Sequence, residues 1–107
     1  MKAPVLVVKK LPAFGMALFP FILLKSADYK KDTILLNHEK IHLRQQLELL
    51  VLPFYVCYLA NYLINRLKYK NHYEAYRNII FEKEAFDNER NLGYLKKRSW
   101  FSWAHHK

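Results

Sequence analysis

The stretch Asp32-Thr33-Ile34-Leu35-Leu36-Asn37-His38-Glu39-Lys40-Ile41-His42, running on to Leu52, decides how this chain is read. Asp32 and Thr33 are N-cap residue types placed just before an apolar run, so a helix is expected to start here. At about 100° per residue, Ile34, His38, His42, Gln45 and Leu49 share one stripe. Two histidines four apart therefore project from one face, with Glu39 between them. Imidazoles at this spacing bind a single Zn²⁺, and the intervening glutamate is placed to take a proton from water. With five His and six Glu among 107 residues, an HExxH pattern arises by chance in roughly one such chain in a hundred. The context must therefore carry the reading. A lone histidine on an apolar stripe is usually a hydrogen-bonded core residue. Two histidines with a glutamate between them point to a metal.

A catalytic zinc generally takes three protein ligands and a water. A second helix is expected from Tyr73 to about Leu95, and it carries Glu82, Glu84 and Glu89. On a wheel centred on Glu84, the near neighbours are Tyr73, Arg77, Ile80, Asn88, Asn91 and Leu95, while Glu82 and Glu89 point roughly the other way. Glu84 is thus the carboxylate nearest the axis of a largely apolar stripe. A buried carboxylate is costly unless paired, and a metal relieves that cost. The expected ligand set is His38, His42 and Glu84, with Glu39 as general base. Two alternatives stay open: Glu84 pairs with Arg77, or the helix is rotated and Glu82 is the ligand. Asn88, one turn after Glu84, is placed to hydrogen-bond the outer nitrogen of a zinc-bound histidine. An oxyanion donor is also needed, and Tyr73, His72 and Tyr94 are the candidates.

HExxH on one helix and a glutamate on a later one resembles the gluzincin metallopeptidases. The chain looks most like the peptidase domain of the beta-lactam-sensor type of membrane metallopeptidase, and like small uncharacterised bacterial proteins of this pattern. His38-Glu39-Lys40-Ile41-His42, the hydrophobic segment Leu49 to Ile64, and Glu82-Lys83-Glu84-Ala85 carry the likeness, which covers about residues 33–92. The resemblance implies a small zincin-like α+β domain, bound Zn²⁺, and hydrolysis of a peptide or protein substrate. Such families often place Asp four residues after the ligand glutamate. Here that position is Asn88, with Asp87 beside it.

Length allows one domain over residues 1–107. With 52% hydrophobic residues, two glycines and four prolines, a small core is expected and long linkers are not. One cysteine, Cys57, excludes an internal disulfide and is expected to be a small buried residue. The net charge is +9. Arg66, Lys68, Lys70 and Arg77 form one basic region and Lys96-Lys97-Arg98 another. They suggest an anionic partner. Trp100-Phe101-Ser102-Trp103 beside the second cluster suits a membrane interface, or packing on the core. No nucleic-acid motif appears, so a basic nucleic-acid-binding module is the weaker rival. The other rival is a zinc-binding or membrane-associated regulatory protein without turnover.

Leu47 to Ile64 is interrupted by Glu48, Pro53 and Asn61, and falls short of the about 20 apolar residues of a span. A break near Pro53 is expected. Leu11 to Leu24 is apolar, but Pro12, Pro20 and Lys25 argue against a cleaved signal, so the expected location is cytoplasmic or peripheral on the cytoplasmic membrane face. The N-terminal region reads better as strands, Val5 to Val8 and Met16 to Leu24, joined through a turn at Pro12 to Gly15. The expected architecture is therefore α+β and mainly helical. A short hairpin leads into a long HExxH helix broken near Pro53, and a second helix carries the glutamate. A free edge strand beside the active-site helix would hold extended peptide by main-chain pairing.

Overall fold

The computed structural model describes residues 3–106. The fold is α+β and 59% helical, with five α-helices and a three-stranded sheet. The strands are β1 (Val5–Val7), β2 (Gly15–Leu18) and β3 (Phe21–Leu24), in the order β1-β3-β2. β2 pairs antiparallel with β3, and β1 pairs parallel with β3. The expected Met16–Leu24 strand is therefore folded on itself at Phe19-Pro20. Proline lacks an N–H and favours a turn over a ladder position. The hairpin is β2–β3, not the pairing across Pro12 to Gly15.

α1 (Thr33–Glu48) begins where the sequence placed it, with the Asp32 carboxylate accepting from the Leu35 N–H at 3.0 Å. It ends at Leu49, before α2 (Leu52–Lys68). Leu50 and Val51 have φ of 59° and 62°, and Leu52 N–H reaches back to Leu50 O at 2.7 Å. That i→i+2 bond closes a γ-turn around Val51. Pro53 sits in the first turn of α2, where its missing N–H is harmless.

The second helix differs from expectation. It is divided into α3 (His72–Arg77) and α4 (Ile80–Asn88), with α5 (Tyr94–Lys97) after them. Asn78 caps α3, its side chain donating to Glu74 O at 2.8 Å. Ile79 is extended, and Asn61 on α2 accepts the free Ile80 N–H at 2.9 Å. A wheel drawn through residues 73–95 therefore loses its phase at Asn78-Ile79.

α1 lies between the sheet and α4. On the sheet side, Ala17, Ile22, Leu24 and Leu43 form a small core. On the other side, Phe54, Ile79 and Phe81 form a second, with aromatic neighbours from α2 and α3 and with Trp103. The C-terminal segment closes over α4. Trp103 meets Phe81 edge-on at 5.1 Å. Arg98, read with Lys96 and Lys97 as a basic region for an anionic partner, is instead 9% exposed. Cys57 departs from expectation in the other direction and is exposed.

Candidate metal centre

α1 is buried yet largely polar, and the site follows from how that polarity is satisfied. Asn37, His38, Glu39, His42, Gln45, Gln46 and Glu48 are all buried. A buried polar group needs a partner. Asn37 donates to the Asn88, Glu89 and Asn91 carbonyls at 3.3, 2.8 and 3.0 Å. Gln46 donates to Ala17 O and accepts from Phe19 N–H, at 2.7 and 2.8 Å. Glu48 takes both terminal nitrogens of Arg98, at 2.7 and 2.8 Å. These bonds pin α1 to the sheet, to the end of α4 and to the C-terminal segment.

The two histidines meet Glu82. Its Oε1 lies 3.1 Å from His38 Nε2 and 2.9 Å from His42 Nε2, and the two nitrogens are 3.2 Å apart. All three side chains are buried, and one ligand atom from each falls within 4.8 Å of the others. The outer nitrogens are held too. His38 Nδ1 faces the Glu89 carboxylate at 2.8 Å, and His42 Nδ1 faces Gln45 Oε1 at 2.8 Å. The Gln45 amide has one sensible orientation, because its Nε2 donates to Phe81 O at 3.0 Å and to Glu84 at 2.8 Å. Its oxygen must then accept from His42 Nδ1–H. A carboxylate likewise demands a proton on His38 Nδ1. Both neutral imidazoles thus carry their proton on the outside and turn a lone pair inward.

Three inward acceptors cannot coexist without a cation. A proton is one answer. Burial opposes charge on His42, but Glu82 beside it outweighs this and pushes its pKa up to about 9. For Glu82, too, burial would raise the pKa, yet His42 and His38 hold it well below the usual carboxylate range. A divalent metal is the other answer. Two imidazole nitrogens and a carboxylate oxygen suit zinc, with the ion displacing the proton.

Glu82, not Glu84, is therefore the carboxylate brought to the histidines. Glu84 is fully buried, as the wheel implied, but a different group compensates it. Its carboxylate accepts from Arg98 Nε at 2.6 Å, Arg98 Nη2 at 3.1 Å and Tyr94 OH at 2.5 Å, besides Gln45. Burial would raise its pKa, and these donors together hold it below the ordinary value. Asn88 does not reach a histidine, since its amide turns back to Glu84 O at 2.9 Å. Glu89 and Gln45 hold the outer nitrogens in its place. Glu82 and Glu89 are seven residues apart, a spacing that stacks them on one helical face, and they grip opposite sides of the His38 ring. That i, i+7 pair was the available signal.

Glu39 is the exception among the buried polar residues of α1. Its carboxylate makes no hydrogen bond among the described residues. Burial raises its pKa, with Glu82 and Glu89 adding to the rise and the two histidines opposing it. It lines a cavity of about 500 Å³ with the histidines and Glu82, and with Met16, Tyr55, Tyr58 and Tyr76. At Gly15 on the wall, an added Cβ would stand 3.3 Å from Glu39 Oε2 and from Leu35 Cδ1, so these side chains would have to give by a few tenths of an ångström.

Of the three candidate oxyanion donors, only His72 lines this cavity. Tyr73 lies on a neighbouring depression, and Tyr94 is engaged with Glu84 and Ser102. Two tyrosines passed over in the sequence take their place beside the cluster. Tyr58 OH donates to Glu82 Oε2 at 2.6 Å, and Tyr76 is its neighbour on the cavity wall. Burial, then the charge of Glu82, pushes both phenols well up, so both stay protonated. β2 is the sheet edge on the same cavity, but the Ala17 carbonyl already accepts from Gln46 and from Tyr55 OH. In comparisons with known proteins, no family model, no curated protein and no solved structure matches the chain.

Proposed function

We propose that this chain is a zinc-dependent hydrolase of peptide bonds. His38, His42 and Glu82 hold the metal, and Glu39 is the general base. One observation carries the reading: three acceptor atoms converge in a buried site while separate partners fix the outer nitrogen of each imidazole. Zinc, when bound there, supplies Lewis acidity and lowers the pKa of water to about 7. Glu39, buried and without a hydrogen bond among the described residues, is left to receive the proton from the attacking water and pass it to the leaving amine. Tyr76 and His72, both on the cavity wall, are the proposed donors to the oxygen of the scissile carbonyl. The extended substrate lies along β2. With Ala17 O taken, main-chain pairing falls to Gly15, two residues back on the same edge.

The test is Glu39→Gln. An amide fits the same space but takes no proton. The variant is expected to keep one zinc per chain and to lose cleavage of a mixed fluorogenic peptide library by about 10²–10⁴-fold. Equal cleavage by wild type and variant would remove Glu39 from the chemistry. Zinc binding with no cleavage by either would favour a silent zinc protein.

A further inference from the structure

α2 has two unlike faces. Phe54 and Asn65 are buried on one. The side chains beside them are committed to the protein: Tyr55 OH to Ala17 O, Asn61 to Ile80 N–H, and Asn65 to Ala75 O. On the other face, Leu52, Val56, Leu59, Leu63 and Leu67 are between 55% and 89% exposed. At about 100° per residue these five fall within an arc of about 80°. Ala60, Cys57 and Ile64, all exposed, widen it on one side. No charged residue enters the arc. Arg66 lies just beyond one margin and Lys68 just beyond the other, and both are exposed. No acidic residue occurs between Glu48 and Glu74.

We propose that this face of α2 docks on an anionic lipid surface, with the helix lying in the plane of the headgroups. A contiguous aliphatic face this exposed marks an interaction site rather than ordinary surface scatter. Cations on both margins place their charged ends at phosphate level while the aliphatic row sinks below it. A second copy is the poorer occupant, because α2 offers no carboxylate to pair with its mate's Arg66 or Lys68. A lipid surface supplies that negative charge. α2 does not cross the bilayer in this arrangement. Seventeen residues make about 26 Å of helix, less than the about 30 Å hydrocarbon core. No single helix among the described residues is long and apolar enough to span. The inner face would also have to give up its hydrogen bonds. This inference does not depend on the hydrolytic reading.

The test is co-sedimentation of the full chain with vesicles of phosphatidylcholine alone and with 30% phosphatidylglycerol. Wild type is expected in the pellet with the anionic vesicles and in the wash after alkaline carbonate. The double variant Leu59→Gln, Leu63→Gln should partition about tenfold less or weaker still. Arg66→Gln with Lys68→Gln should remove the preference for anionic vesicles. Circular dichroism checks that these exposed substitutions leave the fold intact, and Leu63→Gln alone replaces the pair if they do not. The proposal is overturned if wild type stays in the supernatant with both vesicles, or if neither pair changes its partition. Resistance to carbonate would mean insertion across the bilayer instead. A concentration-dependent dimer, abolished by the leucine pair and without vesicle binding, would assign the face to a second copy.

Discussion

At the scale of single residues, Gln45 is the most informative side chain. It joins two buried networks, accepting from His42 and donating to Glu84 and to Phe81 O. Gln45→Leu keeps the bulk but frees the His42 ring to rotate or change tautomer. The expected outcome is zinc affinity weaker by about 10–100-fold, the usual cost of losing a partner behind a metal-bound histidine. A competitive chelator titration reads this directly, and unchanged affinity would mean that the ring is held by packing alone. The two histidines and Glu39 were legible in the sequence because spacing within one helix is local. The carboxylate that meets them was left between Glu84 and Glu82, with Glu84 favoured. Glu84 does lie on a buried face, but its charge is met there by Arg98, fourteen residues further on. Periodicity reports that a position is inside and does not report what it meets there.

Among the elements, the α1–α2 corner decides where the cavity aromatics stand. The γ-turn at Val51 gives a β-branched residue φ 62° and ψ −71°, a conformation costing about 1–3 kcal/mol. Glycine adopts it freely but loses about 0.5–1 kcal/mol through the more flexible unfolded chain. Val51→Gly is therefore expected to gain between zero and about 2.5 kcal/mol in urea denaturation, with α2 in place. A loss would show that the Val51 side chain matters more than its backbone. Pro53 announced a break near this point, whereas the positive φ angles two and three residues earlier had no glycine to mark them. The Asn78-Ile79 break was hidden for a related reason. Nothing in Arg77-Asn78-Ile79-Ile80 forbids a helix, and it is Asn61, on another element, that receives the exposed Ile80 N–H.

For the whole molecule, the C-terminal segment acts as a clamp. Arg98 bridges Glu48 on α1 and Glu84 on α4 with all three side chains fully buried. Breaking such a pair leaves charge without a partner, at about 3–5 kcal/mol. Arg98→Met should lower stability at pH 7 by that order. The pH dependence has a definite sign. Glu84 has its pKa lowered by folding, so its contribution is fully present above the ordinary value of 4.5 and fades as pH falls below it. Wild type should therefore lose stability in acid below about 4.5, and Arg98→Met should lose less, because Glu84 no longer gains from ionisation. Equal acid slopes in urea titrations would separate Glu84 from the clamp. The sequence showed Lys96-Lys97-Arg98 as one basic run, and only the folded chain separates the two solvated lysines from the buried arginine.

The central claim is that Glu82 completes a metal site with His38 and His42. Elemental analysis of the purified protein after equilibration with zinc tests it most directly, on wild type, Glu82→Ala and Glu84→Gln. The account predicts about one zinc per chain in wild type, nearly none in Glu82→Ala, and retention in Glu84→Gln, whose amide still fills the space beside Arg98. A folded wild type that takes up no zinc, or a Glu82→Ala protein that holds it as tightly as wild type, would contradict the account.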